Sequence, residues 1–304
     1  MEQTNLILPI GTQIVTLIEV KVLNEDRFQL RGTVGIIKSA PKDATHSYLI
    51  EFPDGAFSSL KRKEFSIRKE FQTETALNPL KDQNLYDYVI YRCVVGSRAF
   101  GLDDEKSDTD LRGIYLPPAD LHWSMYGVPE QIENKENEEC YWELQKFLVL
   151  ALKANPNILE CLNTPLIEFK TEIAEELLSL KNIFLSKLVY QTYNGYVMSQ
   201  FKKLEQDLRA SGEIRWKHAM HLIRLLLQGI EILQTGELNV KVLINRDKLL
   251  AIKAGEMTWE NVNNWRLVLH KDFENAFAET KLPQRPNYEK ANEFLIKARR
   301  EMVK

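Results

Sequence analysis

The stretch GSRAFGLDDEKSDTDLRG, Gly96 to Gly113, holds two pairs of residues whose types and spacing suit phosphates and metal ions. Gly96-Ser97 follows the apolar run YVIYRCVV, and the acids Asp108 and Asp110, one residue apart, lead into a second apolar run. A Gly-Ser turn between a strand and a helix leaves backbone N–H groups unpaired at the helix start. Those groups, the helix dipole and the Ser97 hydroxyl favour an anion. Gly96 permits close backbone approach, and Arg98 adds a charge-assisted contact. On a strand, side chains at i and i+2 share one face. Asp108 and Asp110 would then repel each other unless a cation neutralises them. Mg²⁺ takes one or two protein carboxylates and completes its shell with phosphate oxygens and water. The combination predicts a phosphoryl- or nucleotidyl-transfer site rather than an ordinary surface loop.

The elements around this segment must position it. YDYVIYRCVV reads as a strand entering Gly96, and TDLRGIYLP as a second strand stopped by Pro117-Pro118. EQIENKENEE reads as a solvated loop or an exposed hairpin, and CYWELQKFLVLALKANPNILECL as a short strand running into a helix that ends near Asn155-Pro156. From Leu166 onward the periodicity is helical. Trp216, Met220, Ile223, Leu227, Ile230 and Leu233 recur at three and four residues, and Gly236 ends the run. Helices are also expected over 171–190, 193–209, 258–278 and 287–303. Before the segment, residues 1–70 read as all-β, with β-branched runs, a Pro53-Asp54-Gly55 turn, and Gly11, Gly32 and Gly35 as punctuation. Short strands at this spacing suggest a small SH3-like β-barrel. Residues 71–84 read as a linker or connecting helix. The expected fold is multidomain α+β: a barrel over 1–70, a mixed α/β catalytic domain over 71–165, and a helical domain over 166–304 that closes the nucleotide cleft.

Composition restricts the alternatives. Of 304 residues, 44% are hydrophobic and 27% charged, which is ordinary for a globular protein. The N-terminus shows no basic stretch followed by an apolar run, and no apolar stretch reaches membrane-spanning length, so a cytoplasmic protein without a membrane partner is expected. Cys93, Cys140 and Cys161 lack metal-ligand spacing and read as reduced thiols. Net charge is −3, but residues 71–165 carry 8 basic against 16 acidic side chains. An acidic middle suits a divalent-cation site better than a nucleic-acid surface, although a local basic groove would suffice for nucleic acid.

The arrangement of Gly-Ser, nine residues, then Ser-Asp-x-Asp resembles the signature of the DNA polymerase β nucleotidyltransferase superfamily. Within it, GSRAFGLDDEKSDTDLRGIYLPP followed by ELQKFLVLALKANPNILECL resembles the RNA-repair-pathway nucleotidyltransferase family. KHAMHLIRLLLQGIEILQTGEL and LLAIKAGEM are similar to that family's helical half. The resemblance implies that Gly96 and Ser97 hold the triphosphate of an NTP such as ATP, and that Asp108 and Asp110 bind Mg²⁺ or Mn²⁺. It also implies a third carboxylate on a neighbouring strand. The superfamily more often has Asp there, and the order of preference here is Glu143, Glu139, Glu138. If Glu143 already belongs to the next helix, a helix-start or ion-pair contact is expected instead. The implied reaction moves a nucleoside monophosphate to a hydroxyl, with an RNA or tRNA-like end as the expected acceptor. Nucleotidylation of a protein or small molecule, and a module that binds nucleotide without turnover, are the alternatives.

Several other residues are candidates. Lys217, His221, Arg224 and Gln228 form a polar stripe on the 216–233 helix, read either as a basic wall facing the triphosphate or as a solvated face. His218 and His221 lack the further ligands of a zinc site. Arg112 orients Asp110, binds substrate or makes a plain salt bridge. Asn155, Asn157 and Glu160 read as a helix-terminus turn, and the family resemblance implies that they support the site. Tyr193, Asn194 and Tyr196 are candidates for a base pocket or for helix packing. Lys61–Lys63 is the only basic cluster of the first seventy residues, a solvated turn or an RNA contact.

Overall fold

The computed structural model describes residues 7–43, 46–71, 83–105 and 107–303. Most of the expected 71–84 linker lies outside the described residues. The chain divides into two compact units, residues 1–84 and 85–304.

In the first unit the β-branched runs become an antiparallel sheet. Its strands are β1 (Gln13–Thr16), β4 (Val34–Ser39), β5 (Tyr48–Glu51), β6 (Phe57–Leu60) and β7 (Phe65–Ile67), in the order β6-β5-β4-β1-β7. Strands β2 (Val20–Lys21) and β3 (Phe28–Gln29) form a separate pair. Alternation buries Ile14, Ile37, Ile50, Leu60 and Phe65 together. Pro53-Asp54-Gly55 turns the chain between β5 and β6, with Gly55 N–H donating to the Phe52 carbonyl. No strand pairing joins β6 to β7 among the described residues, so the sheet is not closed into a barrel by its ladders. Of the basic cluster, Lys61 precedes a single 3₁₀ turn at Arg62–Glu64, and Arg62 is spent on the Phe65 carbonyl and ring.

The second unit is built on a mixed sheet of order β10-β11-β9-β8-β12, comprising β8 (Val89–Val95), β9 (Asp110–Tyr115), β10 (Gln131–Asn134), β11 (Glu139–Glu143) and β12 (Ile167–Lys170). Only β9 and β11 run parallel. EQIENKENEE takes the hairpin form, with β10 and β11 joined by a tight turn. Strand β12 is a departure from the helical expectation after Leu166. Its residues complete the sheet by pairing with β8, and backbone hydrogen bonding overrides the periodicity of so short a segment. Gly113 is required inside the sheet, because a Cβ there would lie 1.9 Å from the Tyr91 carbonyl oxygen.

The helices are α1 (Gly96–Phe100), α2 (Ala119–Trp123), α3 (Leu144–Leu152), α4 (Pro156–Asn163), α5 (Glu172–Ser179), α6 (Leu188–Ser211), α7 (Trp216–Thr235), α8 (Arg246–Lys253), α9 (Trp259–Glu279) and α10 (Tyr288–Glu301). The helix expected over 171–190 stops at Ser179, because a 3₁₀ turn at Lys181–Phe184 swings Phe184 and Leu185 into the core. Helix α7 keeps its expected span, and Gly236 ends it in the left-handed conformation. One apolar core runs from Tyr91, Cys93 and Ile114 of the sheet through α3 and α4 to α7 and α9. The three thiols are free and buried. Among the described residues, no helix is long and apolar enough to cross a membrane.

Candidate active site

Strand β8 ends at Val95, which pairs with Asp110, so the Gly96 turn and the head of β9 meet across one ladder. Gly96 has φ +71° and opens α1, and a Cβ on it would lie 2.6 Å from Asp110 Oδ2. Only a residue without a Cβ admits that carboxylate against the turn. Asp110 is half-buried and is held by Arg112, whose Nη2 lies 3.0 Å from Oδ1. Arg112 also donates from Nη1 to the Leu111 and Glu138 carbonyls, which fixes its guanidinium across the β9–β11 edge.

Asp108 is exposed and lies in the loop before β9 rather than on the strand. Arg98 ties that loop to α1. Its Nη2 donates to the Ser107 carbonyl at 2.7 Å and its Nε to the Asp108 carbonyl at 3.3 Å. Arg98 thus engages the backbone of the acidic loop.

A cleft of about 320 Å³ opens from this corner. Gly96, Asp110, Arg112 and Trp142 form its sheet side; Asn155, Asn157 and Glu160 of the α4 start form one wall; Tyr196, His218, His221 and Arg224 form the helical wall. Asn155 caps α4 by accepting from the Asn157 and Ile158 N–H groups, with Pro156 at the first helical position. Arg224 is buried and makes a 2.8 Å ion pair with the buried Glu160. Its guanidinium also stacks on the Phe100 ring of α1, 3.6 Å from the ring centre. The buried pair joins α4, α7 and the helix that carries the Gly-Ser turn. His221 packs edge-on against Phe100, and burial, followed by the Arg224 charge, pushes its pKa down to about 4. It is therefore a neutral hydrogen-bonding group in the cleft. His218 shares a hydrogen bond with Gln200, and burial lowers its pKa as well.

Glu143 is placed elsewhere. In β11 the register pairs Cys140 with Arg112 and Trp142 with Ile114, so Cys140 and Trp142 share the face of Asp110. Glu139, Tyr141 and Glu143 point to the other face. There Glu143 caps α3 through the Gln145 and Lys146 N–H groups and pairs with Arg299 at 3.0 Å. His122 Nε2 stands 3.6 Å away, and burial drives the Glu143 pKa upward. This is the helix-start contact that the sequence left open, and it removes Glu143 from the cleft. Glu139 and Glu138 stand at the β10–β11 turn, at a shallow hollow beside Asp110 and Arg112. Among the described residues no group of three His, Cys, Asp or Glu side chains is gathered to hold a metal.

Of the polar stripe, Lys217 is exposed and does not line the cleft, whereas His221 and Arg224 do. Tyr193 is fully buried with its hydroxyl toward Gln228, and Asn194 is not part of the cleft, so only Tyr196 of that trio reaches it. Sequence reasoning missed Trp142 and Phe100, whose roles depend on sheet register and helix packing. It also missed a strap behind the turn: Val242 N–H bonds the Phe100 carbonyl, Arg246 bonds that of Gly101, and Lys253 reaches the Leu102 carbonyl and Asp104. Those partners lie some 150 positions apart, and no local signal links them.

Residues 68–297 match the RNA repair pathway DNA polymerase beta family, and the chain belongs to that family. Among curated relatives it is similar to the uncharacterized protein YcgL of Bacillus subtilis, 33% identical over 142 residues, 46% of this chain and 54% of YcgL. It is also similar to the uncharacterized protein MJ0002 of Methanocaldococcus jannaschii, 25% identical over 154 residues, 49% of this chain and 61% of MJ0002. The chain thus spans between half and two thirds of the curated relatives it matches.

Proposed function

We propose that this protein is a divalent-metal-dependent nucleotidyltransferase that moves a nucleoside monophosphate from an NTP to a hydroxyl at an RNA end. The observation that carries the reading is the seating of the Asp110 carboxylate against the left-handed Gly96 turn, where a Cβ would push the carboxylate away. A phosphate received by the turn would lie beside that carboxylate. The family supports nucleotidyl transfer and an RNA acceptor.

The residues present fit a metal completed by substrate. Asp110 lines the cleft and the exposed Asp108 lies in the loop that leads into β9; the two would supply carboxylates, and Mg²⁺ characteristically takes its remaining ligands from phosphate oxygens and water. When bound, the metal supplies charge neutralisation on the phosphates and activation of the attacking hydroxyl. The chain's own residues do the rest. Gly96 and Ser97 present backbone N–H and hydroxyl donors to the triphosphate, and Arg112 fixes the rotamer of Asp110. Tyr196, Trp142 and the neutral His221 offer surface to the nucleoside. In the overall transfer the acceptor oxygen bonds to the α-phosphorus as the bond to the bridging oxygen breaks. Pyrophosphate leaves, and the acceptor proton passes to solvent.

The test incubates the protein with each α-³²P-labelled NTP, Mg²⁺ and total cellular RNA, beside the double variant Asp108→Ala, Asp110→Ala. Label in RNA with the wild type and none with the variant is the expected result. Label in protein would overturn the acceptor, and full activity of the double variant would overturn the metal assignment.

A further inference from the structure

A second cavity, of about 400 Å³, shares Arg224 with the cleft and lies between α7 and the 239–245 segment that follows it. None of Gly96, Ser97, Asp108 or Asp110 lines it, so the nucleotide reading leaves it unused. Its volume is within the range of small-molecule sites. Leu227, Ile230, Val240 and Val242 supply apolar wall, and Glu231 and Lys241 are among the polar residues that complete the lining. Arg224 and Gln228, one helical turn apart on α7, form a polar floor and are 5% and 4% exposed.

The floor is incompletely satisfied. Among the described residues, the hydrogen bond of the Gln228 side chain is a long one, 3.5 Å, accepted by Oε1 from the Tyr193 hydroxyl. Among the described residues its amide nitrogen donates to no protein group and stays accessible at the cavity, whereas Arg224 Nε is buried without a partner. A buried donor left unpaired, as Arg224 Nε is, costs about 1–3 kcal/mol. At the rim, consecutive Leu243 and Ile244 are 77% and 80% exposed.

We infer that this cavity binds a neutral heteroaromatic ring that turns a hydrogen-bond acceptor edge to Gln228, the chemistry of a nucleobase. The apolar walls suit the two ring faces, and the Gln228 amide supplies the directional contact. An aliphatic chain would leave Gln228 unsatisfied. An anion gains little, because Glu160 already neutralises Arg224 and the lining holds the Glu231 carboxylate as well as the Lys241 cation. The ring has two possible sources, a free nucleoside or a base of the acceptor strand. Because Arg224 borders both cavities, either source would place its base next to the nucleotide cleft.

The test is equilibrium binding of 2-aminopurine riboside, followed by its fluorescence, to the full-length protein and to two variants. Val242→Trp puts an indole into the cavity where the ring would lie, and Gln228→Leu keeps the shape while deleting the donor. The expected result is a class of sites that Val242→Trp abolishes and Gln228→Leu weakens by about tenfold, the loss of one directional hydrogen bond. Binding that both variants leave unchanged, or no binding, overturns the inference. Gln228→Leu alone decides the matter if the tryptophan variant does not fold. A trinucleotide with 2-aminopurine at its 3′ end separates the sources. Tighter, Gln228-dependent binding of the trinucleotide assigns the acceptor strand, and equal binding assigns the free nucleoside. Transfer activity is not part of the readout, so a failed nucleotidyl-transfer reading and a failed base site give different results.

Discussion

Asp110 Oδ2 sits 2.6 Å from where a Cβ of Gly96 would be, so the acid and the turn occupy one another's space. Gly96→Ala must therefore displace the carboxylate and also hold alanine at φ +71°. The backbone strain alone costs about 1–2 kcal/mol. Transfer activity is expected to fall by about a hundredfold, since small misplacements of reacting groups carry penalties of that order. Parallel denaturant unfolding and NTP-transfer assays check this. A variant destabilised by the strain but fully active would show that the turn and Asp110 do not act together.

Asp108 and Asp110 offer a contrast between stability and activity. Asp108 is exposed, and Asp110 pairs with a partly exposed Arg112. Surface pairs of this kind are worth about 0–1 kcal/mol. Asp108→Asn and Asp110→Asn should each leave the unfolding midpoint nearly unchanged while cutting label transfer by about a hundredfold or more. Magnesium titration of residual activity is the second measurement, and an unchanged metal requirement would remove these acids from the metal's ligands.

Glu143 separates a structural carboxylate from a metal ligand. It caps α3 and pairs with Arg299 on the sheet face opposite Asp110. Glu143→Gln should cost about 1–3 kcal/mol of stability. Turnover per folded molecule should stay within about twofold, where a lost metal ligand would cost a hundredfold or more. Activity corrected for the folded fraction, measured at low temperature, decides between the two.

Much of this was legible in the sequence because it is local. The Gly-Ser turn, the acid pair and the strands flanking them follow from residue types over eighteen positions, and α7 follows from its apolar period and Gly236. The face on which Glu143 falls was not legible, since it depends on the β9–β11 register. Strand β12 escaped for a related reason. Its four residues, Ile167–Lys170, are all exposed and have no core face to create an alternating pattern. Arg224 read equally well as a phosphate contact or a solvated charge. Its actual partner, Glu160, lies 64 positions away, and the ion pair exists only after α4 and α7 pack.

Burial of that ion pair makes it sensitive to the loss of either member. Arg224→Met leaves Glu160 buried and unpaired and should cost about 3–5 kcal/mol, whereas Arg224→Met with Glu160→Leu should recover much of it. If the pair also steadies Phe100 and the Gly96 turn, the double variant will be stable yet raise the KM for NTP. A double-mutant cycle on stability, run alongside NTP kinetics, reads both effects.

His221 gives the protein a pH dependence of defined sign. Burial and the Arg224 charge hold its pKa at about 4 in the fold, below the ordinary value of 6.5. Between those values the unfolded chain binds a proton that the folded chain refuses, so stability is full above the unfolded value and falls as pH drops toward the folded one. The shift caps that loss at about 3 kcal/mol. His221→Asn removes the titration, and its urea midpoint should fall less than the wild type's between about pH 7 and about pH 4.5. The difference between the two proteins isolates His221 from every other group that titrates in the window. Identical curves for the two proteins would mean that the imidazole is protonated as readily in the fold as in the unfolded chain, and the cleft would then present a cation at that position.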